Sequence, residues 1–265
     1  MLHKRTDAKG EPTFPDLKGK HVLITGGSNG IGAALCEAFA HQGCALTVLD
    51  KDVDRGKQVL LGCQTQAAST ALYPVDLTDL VALAEILARV RAERPVVDVL
   101  IPNAGYDPRY DGVNMTDQQW MDLFQLNVAH YFVACRELVP AMKASGQGAS
   151  IIMTASHTAW LAKPQLVAYN STKAAIVGLT RSLAEAYGPD RIRVNAVAPG
   201  WVMTDRQLEE WVTPEAITQT VFQEQAMPLE LTPKEMVGPY LFLASNSSMA
   251  MTRQILVADA GQSKH

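Results

Sequence analysis

No apolar run in this 265-residue chain approaches the roughly eighteen residues that a membrane span needs. The polar stretch Met1 to Asp16, which carries Pro12 and Pro15, has no apolar core of the kind a signal peptide requires. A cytoplasmic protein with a flexible tail over residues 1–17 is therefore expected. Lys and Arg form no block and the formal net charge is −4, so neither nucleic acid nor an anionic membrane surface is an expected partner. The four cysteines, Cys36, Cys44, Cys63 and Cys135, show neither Cys-x-x-Cys nor metal-ligand spacing. They read as free, packed thiols of a reducing compartment, and no metal is expected. Repeats, low-complexity tracts and internal linkers are missing too, which leaves a single domain over 18–265 as the simplest account.

What is present is an alternation. Apolar runs that suit buried strands occur at 21–25, 45–50, 70–73, 97–101, 150–154, 193–197 and 254–257. Helical patterns lie between them at 31–42, 79–93, 117–143 and 164–187. Strand and helix in turn predict one α/β domain: a doubly wound, parallel sheet of roughly seven strands.

Within the last of those helical patterns, predicted to be mostly buried and to begin just after Pro164, Tyr169 and Lys173 stand four residues apart and share a face. A phenol titrates near pH 10, but a neighbouring ammonium can lower a pKa by roughly one to three units. The pair can then exchange a proton with a substrate hydroxyl, although the same spacing also arises by chance on amphipathic helices. The first strand runs into Thr25-Gly26-Gly27-Ser28-Asn29-Gly30-Ile31-Gly32, where a helix starts. Such a turn lets a pyrophosphate approach the helix N-terminus, as in Rossmann-like folds. Asp50, ending the second strand, suits the two hydroxyls of an adenosine ribose and repels a 2′-phosphate. NAD is the expected cofactor; Lys51 beside Asp50 softens that preference and keeps NADP as the weaker alternative.

Thr-Gly-x-x-x-Gly-x-Gly is the form used by the short-chain dehydrogenase/reductase family, and from Lys18 to Gly261 the chain resembles that family. The resemblance implies a catalytic set of Asn127, Ser156, Tyr169 and Lys173, with Ser156 thirteen residues before the tyrosine. Ser156 would orient the reacting oxygen, and Asn127 would kink its helix and hold a water linking Lys173 to solvent. It places the cofactor against Gly26, Ser28, Asn29, Gly30 and Ile31, against Asp50, and, at the adenine, against Asp76 and Leu77. Asn103, Ala104 and Gly105 line the cleft, with Pro102 replacing the family's usual first asparagine. Pro199, Gly200, Val202 and Thr204 close over the nicotinamide, which also meets Tyr169 and Lys173. Residues 205–227 resemble a mobile substrate lid that packs when the site is filled. The stretch from Pro233 to Gly261 resembles the final helix and strand, where protomers of a homotetramer meet, although the common Asp-Gly-Gly reads Asp259-Ala260-Gly261 here.

Asp107, Arg109, His157, Trp160 and Trp201, with Ser156 and Tyr169, offer directional polar groups and apolar stacking faces, which suits a small sugar. The Asp-x-Arg loop and the segment from Thr204 to Pro214 are similar to those of bacterial sugar dehydrogenases of the family, notably the D-xylose type. Such enzymes oxidise the anomeric hydroxyl of an aldose, a pentose or 6-deoxyhexose, to an aldonolactone. Dehydrogenation of a keto-sugar acid, reduction of a 3-oxoacyl or other ketone, and a non-catalytic dinucleotide sensor are the other readings.

Overall fold

A computed structural model describes residues 12–263 except 113 and 162. Most of the expected tail, residues 1–11, lies outside the described residues. Its described end is not loose: Phe14 donates its N–H to Gln42, Pro15–Leu17 form one 3-10 turn, and Leu17 is buried.

Strands β1 (His21–Thr25), β2 (Ala45–Asp50), β3 (Ser69–Pro74), β4 (Val99–Ile101), β5 (Ala149–Thr154), β6 (Ile192–Pro199) and β7 (Ile255–Ala258) form a seven-stranded sheet in the order β3-β2-β1-β4-β5-β6-β7. Every pairing is parallel. Both faces are covered, so the central strands are largely apolar and alternate residues divide between two cores. Leu23, Leu49, Leu100 and Ile151 pack on one side with α3 (Leu80–Glu93), α5 (His130–Ser145) and α6 (Val167–Tyr187). Val22, Ile24, Val48 and Ile101 pack on the other with α1 (Gly30–His41), α2 (Val53–Cys63) and α9 (Pro233–Ala244). The strand order reverses between β1 and β4, and such a reversal opens a crevice at the carboxyl ends of the strands.

Two helical expectations need correction. The pattern at 117–143 is not one helix: α4 (Asp117–Phe124) passes through a π turn at Gln125–Ala129 before α5. The cause sits inside that turn. Asn127 is fully buried, and its amide takes both the N–H and the C=O of Tyr106, at 2.9 Å each. An extra residue in the turn lets a polar side chain leave the helix for those partners. The helix after Pro164 starts with a 3-10 turn and becomes α6 only at Val167. It is buried on one face, through Ala168, Thr172, Lys173, Ile176, Thr180 and Leu183, and not all round. The charged helix α2, absent from the expected patterns, is capped by Asp52, whose carboxylate accepts the Arg55 N–H.

His130 closes the π turn. Its Nδ1 lies 2.7 Å from the Leu126 carbonyl and its Nε2 3.4 Å from the Thr25 hydroxyl, which already accepts the Asn103 N–H. A neutral ring donating from Nδ1 satisfies all these groups. Burial pushes its pKa down to about 3 from 6.5. Between those values the unfolded chain binds a proton that the folded chain refuses, so stability falls as pH drops, by about 1.4 kcal/mol per pH unit from this residue. Denaturant titrations at pH 7 and pH 5 should show that loss, and His130→Gln should flatten it; equal losses in both proteins would clear His130 as the cause.

Candidate active site

The crevice contains a cavity of about 570 Å³ lined by residues from the ends of β1, β2, β4, β5 and β6 and from α6. Lys173, on the buried face of α6, donates to the Thr154 carbonyl at the end of β5 (2.8 Å) and stands 5.6 Å from the centre of the Tyr169 ring. Ser156, two residues beyond Thr154, accepts from the Thr158 N–H (3.2 Å) and hydroxyl (3.0 Å). Its own proton is not used by either contact, and Tyr169 lines the same cavity. Asn127 lies behind them, and its amide also reaches the Thr172 hydroxyl at 3.2 Å. The expected catalytic set is thus brought together.

The electrostatics differ from expectation. Burial, reinforced by the Asp107 charge, raises the Tyr169 phenol well above its ordinary value, and the nearby Ser156 hydroxyl only partly opposes it. Burial also pushes the Lys173 ammonium down to about 8, with Asp107 opposing. Loss of water, not the partner, dominates each group, because the ammonium is aimed at a main-chain carbonyl.

The far end of the cavity fits a dinucleotide. Gly26 has φ +69°, and a Cβ there would stand 2.9 Å from Ala104, so only glycine lets the turn lie against the loop after β4. Asn29, Gly30 and Ile31 present the start of α1 to the cavity. The Asp50 carboxylate lines it too, fixed by the N–H groups of Ser28 and Asp52 at 3.0 Å each. Asn103, Ala104, Gly105, Pro199, Gly200, Val202 and Thr204 are in the wall as expected. Three residues are elsewhere. Ser28 is buried and donates its hydroxyl to the Asp52 carbonyl; Asp76 accepts from Thr78; Leu77 is buried in the core.

On the substrate side, His157 and Trp201 line the cavity, whereas Trp160 is 40% exposed and outside its wall. Asp107 and Arg109 line it but are engaged. Asp107 pairs with Arg206 and accepts from the Gln207 amide (3.0 Å), while the Arg109 guanidinium lies 4.1 Å over the Trp211 ring. They hold the expected lid, α7 (Asp205–Glu210), α8 (Pro214–Ile217) and a π stretch at Thr218–Glu224, which already packs, with Val221 fully buried. Arg206, Gln207, Lys163, Glu224 and Gln262 also line the cavity and were missed from sequence. The polar character of 205–227 was a signal for Arg206, Gln207 and Glu224, and nothing in the sequence marked Lys163 or Gln262. Among the described residues, no group of three or more His, Cys, Asp or Glu side chains could hold a metal ion.

The short chain dehydrogenase profile matches residues 20–213. The probable galactose dehydrogenase GalD of Rhizobium meliloti (strain 1021) is 40% identical over 94% of this chain and 96% of its own length. The D-xylose 1-dehydrogenase of Caulobacter vibrioides is 38% identical over 94% of this chain and 97% of that protein. Among solved structures, the L-sorbose reductase of Gluconobacter frateurii complexed with NADPH and L-sorbose superposes with a TM-score of 0.89. It is 26% identical and covers 95% of this chain and 99% of its own.

Holding a charged amine out of water costs stability. Because the folded Lys173 titrates at about 8 against 10.5 unfolded, the folded chain binds fewer protons between those values and stability rises with pH across that window. Lys173→Met should therefore stabilise the cofactor-free protein near pH 7, by about 2 kcal/mol after allowing for the lost hydrogen bond to Thr154. The gain should shrink towards pH 10. Thermal denaturation of both proteins at pH 7 and pH 9.5 measures it, and a destabilised variant at pH 7 would contradict the argument.

Proposed function

The chain belongs to the short-chain dehydrogenase family of oxidoreductases, and from that premise we propose that it oxidises the anomeric hydroxyl of an aldose to an aldonolactone, with NAD as the cofactor. One observation carries the reading. The Ser156 and Tyr169 hydroxyls and the Lys173 ammonium meet in a cavity that continues to Asp50 on one side and to a wall of polar side chains on the other.

A nicotinamide bound there supplies the two-electron acceptor for the carbinol carbon. The residues do the rest. Ser156 Oγ orients the substrate oxygen, and Tyr169 Oη takes the hydroxyl proton. Lys173 Nζ, with a pKa of about 8, changes protonation state close to neutral pH and suits passing that proton on. The Asn127 amide is already committed to Tyr106 and Thr172, so we assign Asn127 a positional role: it fixes the loop after β4 beside Lys173. Asp50 supports NAD over NADP because its anchored carboxylate repels a 2′-phosphate. Met121, Phe132 and Val167 leave exposed apolar side chains on α4, α5 and α6, which supports a homo-oligomer, a tetramer by kinship.

A panel of aldoses assayed with NAD and with NADP tests the proposal. Reduced-nicotinamide absorbance should rise with at least one pentose or hexose, and faster with NAD. Turnover of acyl or other apolar ketones with none of the sugars would reject it. Tyr169→Phe should bind NAD with a Kd close to wild type and lose at least about a hundredfold in kcat. A variant retaining more than about a tenth of kcat would remove Tyr169 from the proton transfer.

A further inference from the structure

The chain returns to the cavity after its last strand. Beyond β7, Ala260 and Gly261 both adopt left-handed backbone, φ 55° and 76°, and the Asp259 carboxylate accepts the N–H groups of Gly261 (2.9 Å) and Ser263 (2.7 Å). The Ala260 carbonyl accepts the Met227 N–H at 3.0 Å, so this turn is joined to the end of the lid segment. The fold has a definite reason to be tight here: a Cβ on Gly261 would stand 2.7 Å from that of Ala226. The result is that Gln262 is delivered into the cavity wall and is only 6% exposed.

Its amide is oriented by its neighbour. Nε2 donates to Glu224 Oε2 at 2.7 Å, and the same carboxylate accepts from Lys163 Nζ (3.2 Å) and the Gln219 amide (3.1 Å). An ionised carboxylate can only accept, so the NH₂ group must face Glu224 and the carbonyl oxygen must face away. That oxygen, Oε1, is buried and has no hydrogen-bond partner among the described residues. Across the same wall His157 Nδ1 faces the Asp259 carboxylate at 3.7 Å, where it can act only as a donor. A buried acceptor such as Gln262 Oε1 is costly and rare unless a ligand completes it.

We propose that Gln262 is a specificity-determining residue, its Oε1 accepting a hydrogen bond from a sugar hydroxyl remote from the reacting carbon. This rests on the aldose reading above. Lys163 and Glu224 act through it as positioning residues, holding the amide in the accepting orientation. A site built around an acceptor discriminates against an analogue that lacks the matching hydroxyl, because the acceptor is then left unpaired.

The test uses the full chain with NAD and the best aldose of the panel, together with that sugar's deoxy analogues, each lacking one hydroxyl. Wild type should lose about tenfold in kcat/KM on one particular deoxy analogue. Gln262→Leu should show a similar loss on the intact sugar, mainly through KM, and no further loss on that analogue. Glu224→Gln, which frees the amide to rotate, should show a smaller loss of the same kind. Unchanged NAD affinity and melting temperature in both variants would show that the site is intact. Wild-type activity on aldoses with kcat/KM within twofold in Gln262→Leu, or equal losses on every analogue, overturns the assignment alone. No aldose turnover by wild type overturns the aldose reading and the assignment with it.

Discussion

The hydrogen bond from Lys173 Nζ to the Thr154 carbonyl joins the helix that carries Tyr169 to the sheet that carries the crevice. A fully buried ammonium is tolerable only where fixed oxygens replace water. The carboxyl end of a parallel strand supplies one, since its last carbonyl points beyond the ladder. Thr154 serves twice, its carbonyl also accepting from the Tyr131 hydroxyl at 3.1 Å. With the amine placed there, α6 is fixed in rotation, and Tyr169, one turn earlier on the same face, is brought to Ser156. The π turn at Asn127 completes the arrangement from behind, by holding Tyr106 and the loop that follows β4.

Around this centre the cavity is closed by pairings between segments, not by an apolar plug. Arg206 lies 4.7 Å over the Tyr106 ring while its charge meets Asp107, and the Trp201 indole donates to Gln207 at 2.7 Å. The two Arg206 contacts join the loop after β4 to the segment after β6, and the Trp201 bond braces that segment internally. Glu224 and Gln262 then join the end of the lid to the end of the chain. Each such link is modest, but a set of mutually satisfied polar groups holds its members in place. The chain also sustains a left-handed Ala260, where glycine is the usual solution, because Asp259 and Met227 fix the turn from both sides.

The sheet and its crevice were legible because burial on both faces makes parallel strands read as continuous apolar runs, and β1 and β2 fall on the residues expected of them. The π turn was not, since one added residue leaves the apolar pattern of 117–143 almost undisturbed. The helix α2 was missed for the opposite reason: it buries little, through Gly56, Leu60 and Cys63, and so carries little pattern to read. At the site, Asp107 and Arg109 were expected to line the substrate pocket; both lie in the cavity wall, and both are also engaged by residues 205–227. Sequence reasoning found the groups but had no means of finding their partners.

What the sequence determined by itself is whatever a short stretch of backbone settles: the glycine turn between a strand and a helix, and the shared face of Tyr169 and Lys173. Helix and strand periodicities fix those relations without reference to the rest of the molecule. Only the tertiary structure decided which polar groups meet across the cavity. Asp107 finds Arg206 across 99 residues of chain, and Gln262 finds Glu224 across 38. The reason is physical: a side chain's partner and its loss of water depend on segments packed against it from elsewhere, and those same losses move Tyr169 and Lys173 away from the ionisation their spacing alone suggested.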